Sequence, residues 1–202
     1  VKAQFELSPG MEGFFVSSGL LGAVIGSGLA GWLSDRFGRS RNLILAAVLL
    51  WLSACGSSFA SNIEFLVFAR WLGGLGVGIS AMVCPLYISE ISPTHLRGRL
   101  VSVFQFAITV GIMIALFNNY GLALWADSLG EVVAEDSFRE WFIVEETWRV
   151  MFASELVPGT IFLILAFFLP ESPRWLVKDG KSEKAKAVLR RIFHNGADSE
   201  FE

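Results

Sequence analysis

The sequence predicts an all-α membrane protein. Its apolar residues come in five long blocks, its basic residues gather in alternate loops, and charge is scarce elsewhere. The chain is 53% hydrophobic with a mean hydropathy of +0.57. Only 17% of it is charged, against about 25% for a typical soluble protein. The net charge of −3 gives no reason to expect a nucleic-acid partner. Cys55 and Cys84 both lie in apolar blocks. Two cysteines without a CxxC spacing make neither a disulfide framework nor a metal site.

Crossing the hydrocarbon core takes about 20 predominantly apolar residues. Five blocks qualify: Gly13–Leu33, Leu43–Phe59, Ile63–Ile88, Leu100–Trp125 and Trp148–Leu169. With no water to satisfy backbone groups in lipid, each is expected to be helical. The rival reading of any one block is a buried helix of a soluble protein, and five in succession argue against it.

The positive-inside rule then orients the spans. Arg36, Arg39 and Arg41 fall between the first and second, and Arg97 and Arg99 between the third and fourth. Arg174, Lys178, Lys181, Lys184, Lys186, Arg190 and Arg191 follow the fifth. These are 12 of the 16 basic residues, and they place that side in the cytoplasm. The opposite loops are bare (Ser61–Asn62) or acidic (Ala126–Thr147). Five spans ending inside begin outside, and Val1–Gly10 has no signal-peptide pattern. Parity therefore predicts a helix before Val1, and the polar stretch Asn195–Glu202 reads as a cut. The expectation is a fragment: residues 1–169 carry five transmembrane helices, and residues 170–202 carry cytoplasmic helices.

Four strings carry the chemistry. In Gly31-Trp32-Leu33-Ser34-Asp35-Arg36-Phe37-Gly38-Arg39, Gly38 suits a sharp turn. An acid inside a basic loop exceeds what topology asks for, and Arg39 offers Asp35 a forked partner. The string Arg70-Trp71-Leu72-Gly73-Gly74-Leu75-Gly76-Val77-Gly78 looks superficially like a dinucleotide loop, but no strand precedes it. Its glycines, with Gly22 and Gly26 of the first span, fit close helix–helix packing in a membrane. Arg70 within a span is expensive and marks either a functional site or a structural ion pair.

The third string is Pro85-Leu86-Tyr87-Ile88-Ser89-Glu90-Ile91-Ser92-Pro93, followed by Leu96-Arg97-Gly98-Arg99. Its Ser92-Pro93 reads as a helix cap and first helical position. The fourth, Pro170-Glu171-Ser172-Pro173-Arg174-Trp175-Leu176, repeats that signal, and Gly180 closes the short helix. Ala185, Val188, Leu189 and Ile192 then form one stripe of a basic helix, which either lies on the membrane surface or packs under the bundle as a gate helix.

Together these strings resemble the sugar porter family of the major facilitator superfamily, in particular its proton-linked bacterial sugar symporters. The resemblance covers nearly the whole chain. It implies a twelve-helix fold of two six-helix halves, of which this chain is the N-terminal half lacking its first helix. It also implies alternating access about a midplane site, in halves built from inverted repeats. The implied partners are a monosaccharide, the lipid bilayer, and the first helix and C-terminal half of the same transporter. The implied location is the plasma (inner) membrane, multi-pass. A proton is the implied coupling ion, with no other cofactor and no catalytic or metal-binding residue.

Site residues follow one at a time. Gln105, Thr109, Ile112 and Asn119 of the fourth span fall within about 80° of one face at 100° per residue. They suit either sugar hydroxyls or interhelical hydrogen bonds. By resemblance Gln105 matches the sugar-contacting glutamine. Ile112 matches a second contact position, where xylose-transporting members have Gln and glucose facilitators have Ile. Asp35, Arg39, Glu90, Arg97, Glu171 and Arg174 match the family's cytoplasmic gate network, whose pairs hold the inner gate shut in the outward-facing state.

Arg70 and Glu155 each lie seven residues into a span that starts outside, about 10 Å below its outer end at 1.5 Å per residue. Equal depth and opposite charge predict a shared network, in contact or bridged by one polar group. That network is either a fixed ion pair or, as the resemblance implies, a proton relay. Facilitators tend to carry an apolar residue at the Glu155 position, which favours symport.

The expected function is therefore monosaccharide transport by a sugar:proton symporter. Its rivals are a facilitative uniporter, a transporter-like sugar sensor and an enzyme with a membrane domain. For the last, Ser92, His95 and Asp35 have neither the spacing nor the motif of a triad.

Overall fold

The computed structural model describes residues 8–130 and 146–193. Among these residues there are eight helices and no strand. They are α1 (Pro9–Phe37), α2 (Arg39–Ser58), α3 (Ile63–Ile91), α4 (Arg97–Gly130), α5 (Thr147–Ser154), α6 (Leu156–Phe168), α7 (Pro173–Lys178) and α8 (Ser182–Phe193). Helices α1 to α4, and α5 with α6 taken as one, are five segments long and apolar enough to cross a membrane. The loop acids Glu131, Glu135, Asp136, Glu140 and Glu145, with His194 and Asn195–Glu202, lie outside the described residues.

Helix ends follow local chemistry. Ser8 accepts from the Met11 N–H at 3.4 Å with Pro9 in the first turn, so α1 begins four residues before the apolar block. Asn62 Oδ1 accepts from the Phe65 N–H at 2.8 Å and starts α3. Gly38 separates α1 from α2 at φ +94°, a conformation that strains any residue with a Cβ. Gly180 ends α7 in the same way at φ +75°.

One sequence expectation needs correcting. Ser92-Pro93 does not open a helix. Ser92 ends α3, its hydroxyl donating back to the Ile88 carbonyl at 2.5 Å, and α4 starts only at Arg97. A hydroxyl turned back on the preceding helix is not placed to cap the next. The fifth span is helical as expected, with one break beyond that expectation. It is interrupted at Glu155, where the N–H bonds the Phe152 carbonyl at 3.1 Å. The cause is Pro158, which has no N–H to give the Ser154 carbonyl four residues back.

The bundle centres on α3. Its most extensive partner is α1, then α2. A Cβ on Gly22 or Gly26 of α1 would strike the backbone carbonyls of Trp71 or Leu75. One on Gly74 or Gly78 of α3 would strike those of Gly19 or Ala23. Four glycines thus let two backbones touch, which recovers in dispersion what hydrophobic burial does not supply in lipid. Beside this seam Ala30, Leu43, Ala46, Ile79, Val83 and Tyr87 form a buried core. Helix α4 touches α3 and α5 only sparsely, and none of its apolar stretch is buried. Trp175, Leu176 and Ala185, with Val188 against them, pair α7 with α8 in a separate small core.

The seam carries a prediction. Gly74→Leu drives a side chain into the Gly19 carbonyl and should destabilise the bundle by at least about 1–3 kcal/mol, because backbone cannot give way as a side chain can. Gly28→Ala meets open space inside α1 and should not destabilise the bundle. Thermal unfolding of the two variants in detergent reads the difference, and equal midpoints would remove the glycine seam as a structural constraint.

Candidate functional site

At one end of the bundle the chain returns to itself through a charge cluster. Arg39, in the first turn of α2, is buried. Its Nη2 donates to Glu90 Oε1 at 3.0 Å and its Nε lies 2.9 Å from Glu90 Oε2, a forked pair with a carboxylate near the end of α3. Its Nη1 donates to the Ser34 carbonyl at 3.1 Å and lies 3.5 Å from Asp35. One guanidinium thus ties α2 to α3 and also satisfies a carbonyl at the end of α1. Asp35, 59% exposed, is shared with Lys178 at 3.4 Å.

Glu171 completes the cluster in a different way. It forms no ion pair among the described residues. Its Oε1 accepts from the backbone N–H groups of Arg39 at 2.7 Å, Ser40 at 3.1 Å and Ser172 at 3.0 Å. A carboxylate on the first N–H groups of a long helix answers both their missing partners and the helix dipole. Around it, Ser40 donates to the Leu169 carbonyl, Tyr87 to the Pro170 carbonyl and the Trp175 indole to the Asp35 carbonyl, all at 2.9–3.0 Å.

Two members of the expected network stand apart. Arg174 is exposed, and Arg97 is half-buried with its Nε enclosed and unpartnered. Neither forms an ion pair among the described residues.

Toward the other end, Arg70 of α3 sits between α1 and α5. Its guanidinium lies 5.7 Å from the Phe15 ring centre and 5.5 Å from that of Phe152, within cation–π range, and its Nε is enclosed without an acceptor. Glu155, at the break between α5 and α6, is within electrostatic reach of Arg70. The two form no ion pair, and no polar group bridges them among the described residues. Beside the break, Asn118 of α4 donates to Ser154 Oγ at 2.8 Å and Trp51 of α2 donates to Thr160 at 3.0 Å. Neighbouring helices therefore hold the interrupted segment on both sides of Glu155.

On α4, Gln105 and Ile112 are both exposed and share a face. The Gln105 carbonyl accepts from Thr109 Oγ1 at 3.3 Å, and the Gln105 amide has no partner among the described residues.

One pair went unread in the sequence. Arg149 is buried and bonded to the buried Glu146, and it also donates to the Ser58 carbonyl at 3.0 Å at the end of α2. Its guanidinium stacks 4.4 Å from the Trp148 ring. The signal was present, since Arg149 falls inside a predicted span as Arg70 does. Glu171 as a backbone cap had no signal, because its partners lie 131 and 132 residues away.

Comparison with known proteins agrees with this architecture. A family model described as sugar (and other) transporter matches residues 4–201. The glucose transport protein of Synechocystis sp. is 41% identical over 202 residues, covering all of this chain and 42% of that protein. The D-xylose-proton symporter of Escherichia coli K12 is 39% identical over 201 residues, covering 91% of this chain and 38% of that protein. The proton:xylose symporter XylE bound to 6-bromo-6-deoxy-D-glucose superposes with a TM-score of 0.78 at 38% identity, over 92% of this chain and 41% of that one. Its inward open conformation gives 0.76 over 92% and 42%. The chain spans about two fifths of the length of these relatives. It belongs to the sugar (and other) transporter family, a family of membrane transporters and not of enzymes, and its helices form part of a major facilitator fold.

Proposed function

We propose that this chain is the N-terminal half, without its first helix, of a carrier that moves a monosaccharide across the plasma (inner) membrane by alternating access with a proton as the coupling ion. Residues 1–169 supply the spans. Residues 170–202 form the cytoplasmic link to a second half, which with a first helix and the bilayer makes up the implied partners. The observation that carries the reading is Arg70 beside Glu155. An arginine with an enclosed, unpartnered Nε and a glutamate at a proline break lie within electrostatic reach of each other and form no ion pair among the described residues. A fixed structural pair would be closed. An open pair leaves Arg70 free to take another acid and leaves Glu155 able to exchange a proton.

Sugar recognition is assigned to the exposed face of α4 with Gln105 and Ile112. A glutamine amide can donate to and accept from hydroxyls. Ile112 gives that face an apolar position, which counts against xylose as the sugar. A facilitative uniporter remains the second reading. It is favoured by Ile112 and by the glucose transport protein among the relatives.

The cluster around Arg39 is assigned to the cytoplasmic gate. Asp35 is exposed, so its pairs contribute little. Arg39, Glu90 and Glu171 carry the weight because they are bonded across three elements. Arg97 and Arg174 belong to the gate only if the second half brings them acceptors.

Two measurements test these assignments in the whole transporter. Glu155→Gln should reduce proton-driven accumulation to the level reached without a proton gradient, while sugar exchange across the membrane continues. Preserved accumulation would make Glu155 structural and favour the uniporter. Glu171→Gln removes the charge from three hydrogen bonds, worth about 1.4 kcal/mol, and should shift the balance about tenfold toward the inward-facing state. Accessibility labelling from both sides reads that shift, and unchanged labelling would remove Glu171 from the gate.

A further inference from the structure

Where α2 begins and α6 gives way to α7, a groove of about 470 Å³ opens between the bundle and α8. Its floor is apolar, made by Trp175, Leu176 and Val188, and Arg41, Lys181 and Lys184 rim it. The one carboxylate on its wall, Glu171, is turned to the backbone N–H groups of α2 and α7. Lys181 is held by Asp179 at 2.6 Å and lies over the Trp175 ring at 5.5 Å. Arg41 and Lys184 are exposed and form no ion pair among the described residues. The groove therefore offers uncommitted positive charge above an apolar floor. It lies where two helices long and apolar enough to cross a membrane end.

We propose that this groove binds one anionic phospholipid of the surrounding leaflet, with Arg41 and Lys184 on its phosphate and Trp175, Leu176 and Val188 against the apolar part next to the headgroup. Basic pockets at the membrane-facing ends of spans have the charge and depth that such headgroups require. The apolar floor selects a lipid over a free phosphate, which would gain nothing from it. The bound lipid bridges α2 and α8, whose approach otherwise runs through the α7–α8 core and Glu171. The inference rests on the assignment of α2 and α6 as membrane spans and on no part of the transport cycle.

The test titrates phosphatidylglycerol and phosphatidylcholine separately into the detergent-purified protein and counts bound lipid by native mass spectrometry. One phosphatidylglycerol should bind in preference to phosphatidylcholine. The double variant Arg41→Ala/Lys184→Ala should bind it about thirtyfold more weakly, each cation near an anionic lipid counting about equally. Arg41→Lys should keep most of the affinity. Both positions are exposed, so the substitutions leave the packing intact. Equal retention of the two lipids, or unchanged binding in the double variant, overturns the proposal. Displacement of the lipid by inorganic phosphate also overturns it and assigns the groove to a soluble anion. Lipid counting involves no transport, so failure here leaves the proposed transport function standing, and loss of that function would leave this result standing.

Discussion

The carboxylate of Glu171 on the first N–H groups of α2 is the contact on which this end of the molecule depends. Helix α2 starts immediately after Gly38, with no side chain of its own to cap it. In water such an end is tolerable. At the edge of a bilayer, next to a buried core, unsatisfied donors cost several times more. Glu171 arrives from the far end of the last span and supplies the missing acceptor, and in the same stroke it fixes where that span ends and where α7 begins. Gly38 is required by this contact as well as by its own φ, because a Cβ there would overlap the Glu171 carboxylate. With α2 held in this way, Arg39 projects toward Glu90 and the carbonyl end of α1.

The two ends of the bundle treat charge in opposite ways. At the α7–α8 end the buried guanidinium of Arg39 is ion-paired with Glu90 and Asp35 and donates to acceptors on α1 and α3. Removing one partner of such a buried pair leaves the other charge uncompensated, so the pair holds these helices together. In the interior toward the other end, Arg70 rests on two aromatic faces with part of its hydrogen-bonding capacity unused. An arginine in that condition is held loosely in energy though not in place, since the rings attract its charge without fixing its fork. The interrupted helix beside it adds to the contrast. Pro158 removes one rung of the ladder, while Asn118 and Trp51 hold the segment from either side. Together they give Glu155 a defined position at the end of a helix.

The helix seam explains why these sites keep their registration. Backbones of α1 and α3 in direct contact allow no sliding by part of a residue without collision. Phe15 on α1 and Arg70 on α3 are therefore carried by one rigid pair, and so are Asp35 and Glu90 at its other end. A rigid pair of this kind transmits displacement between its ends as a body. By contrast α4, with Gln105 and Ile112, contacts its neighbours sparsely and is free of the seam.

The sequence by itself determined the five apolar spans, because apolar length and backbone satisfaction in lipid leave few alternatives. It also determined the glycine seam, the turn at Gly38, the start of α7 at Ser172-Pro173 and the closing glycine Gly180, all of which are local in spacing. It marked Arg70 and Glu155 as costly residues at similar depth, though not their unbonded arrangement. Only the tertiary structure decided who answers whom. That Ser92 bonds backward, that Glu171 caps a helix more than a hundred residues away, and that Arg149 pairs with Glu146 and the end of α2 are choices among partners of similar chemistry. Charge and hydrogen-bonding capacity are properties of a residue and can be read along the chain. Proximity is a property of the packed helices, and several acids or bases of equal merit in the sequence become one partner only when the bundle has brought that one within 3 Å.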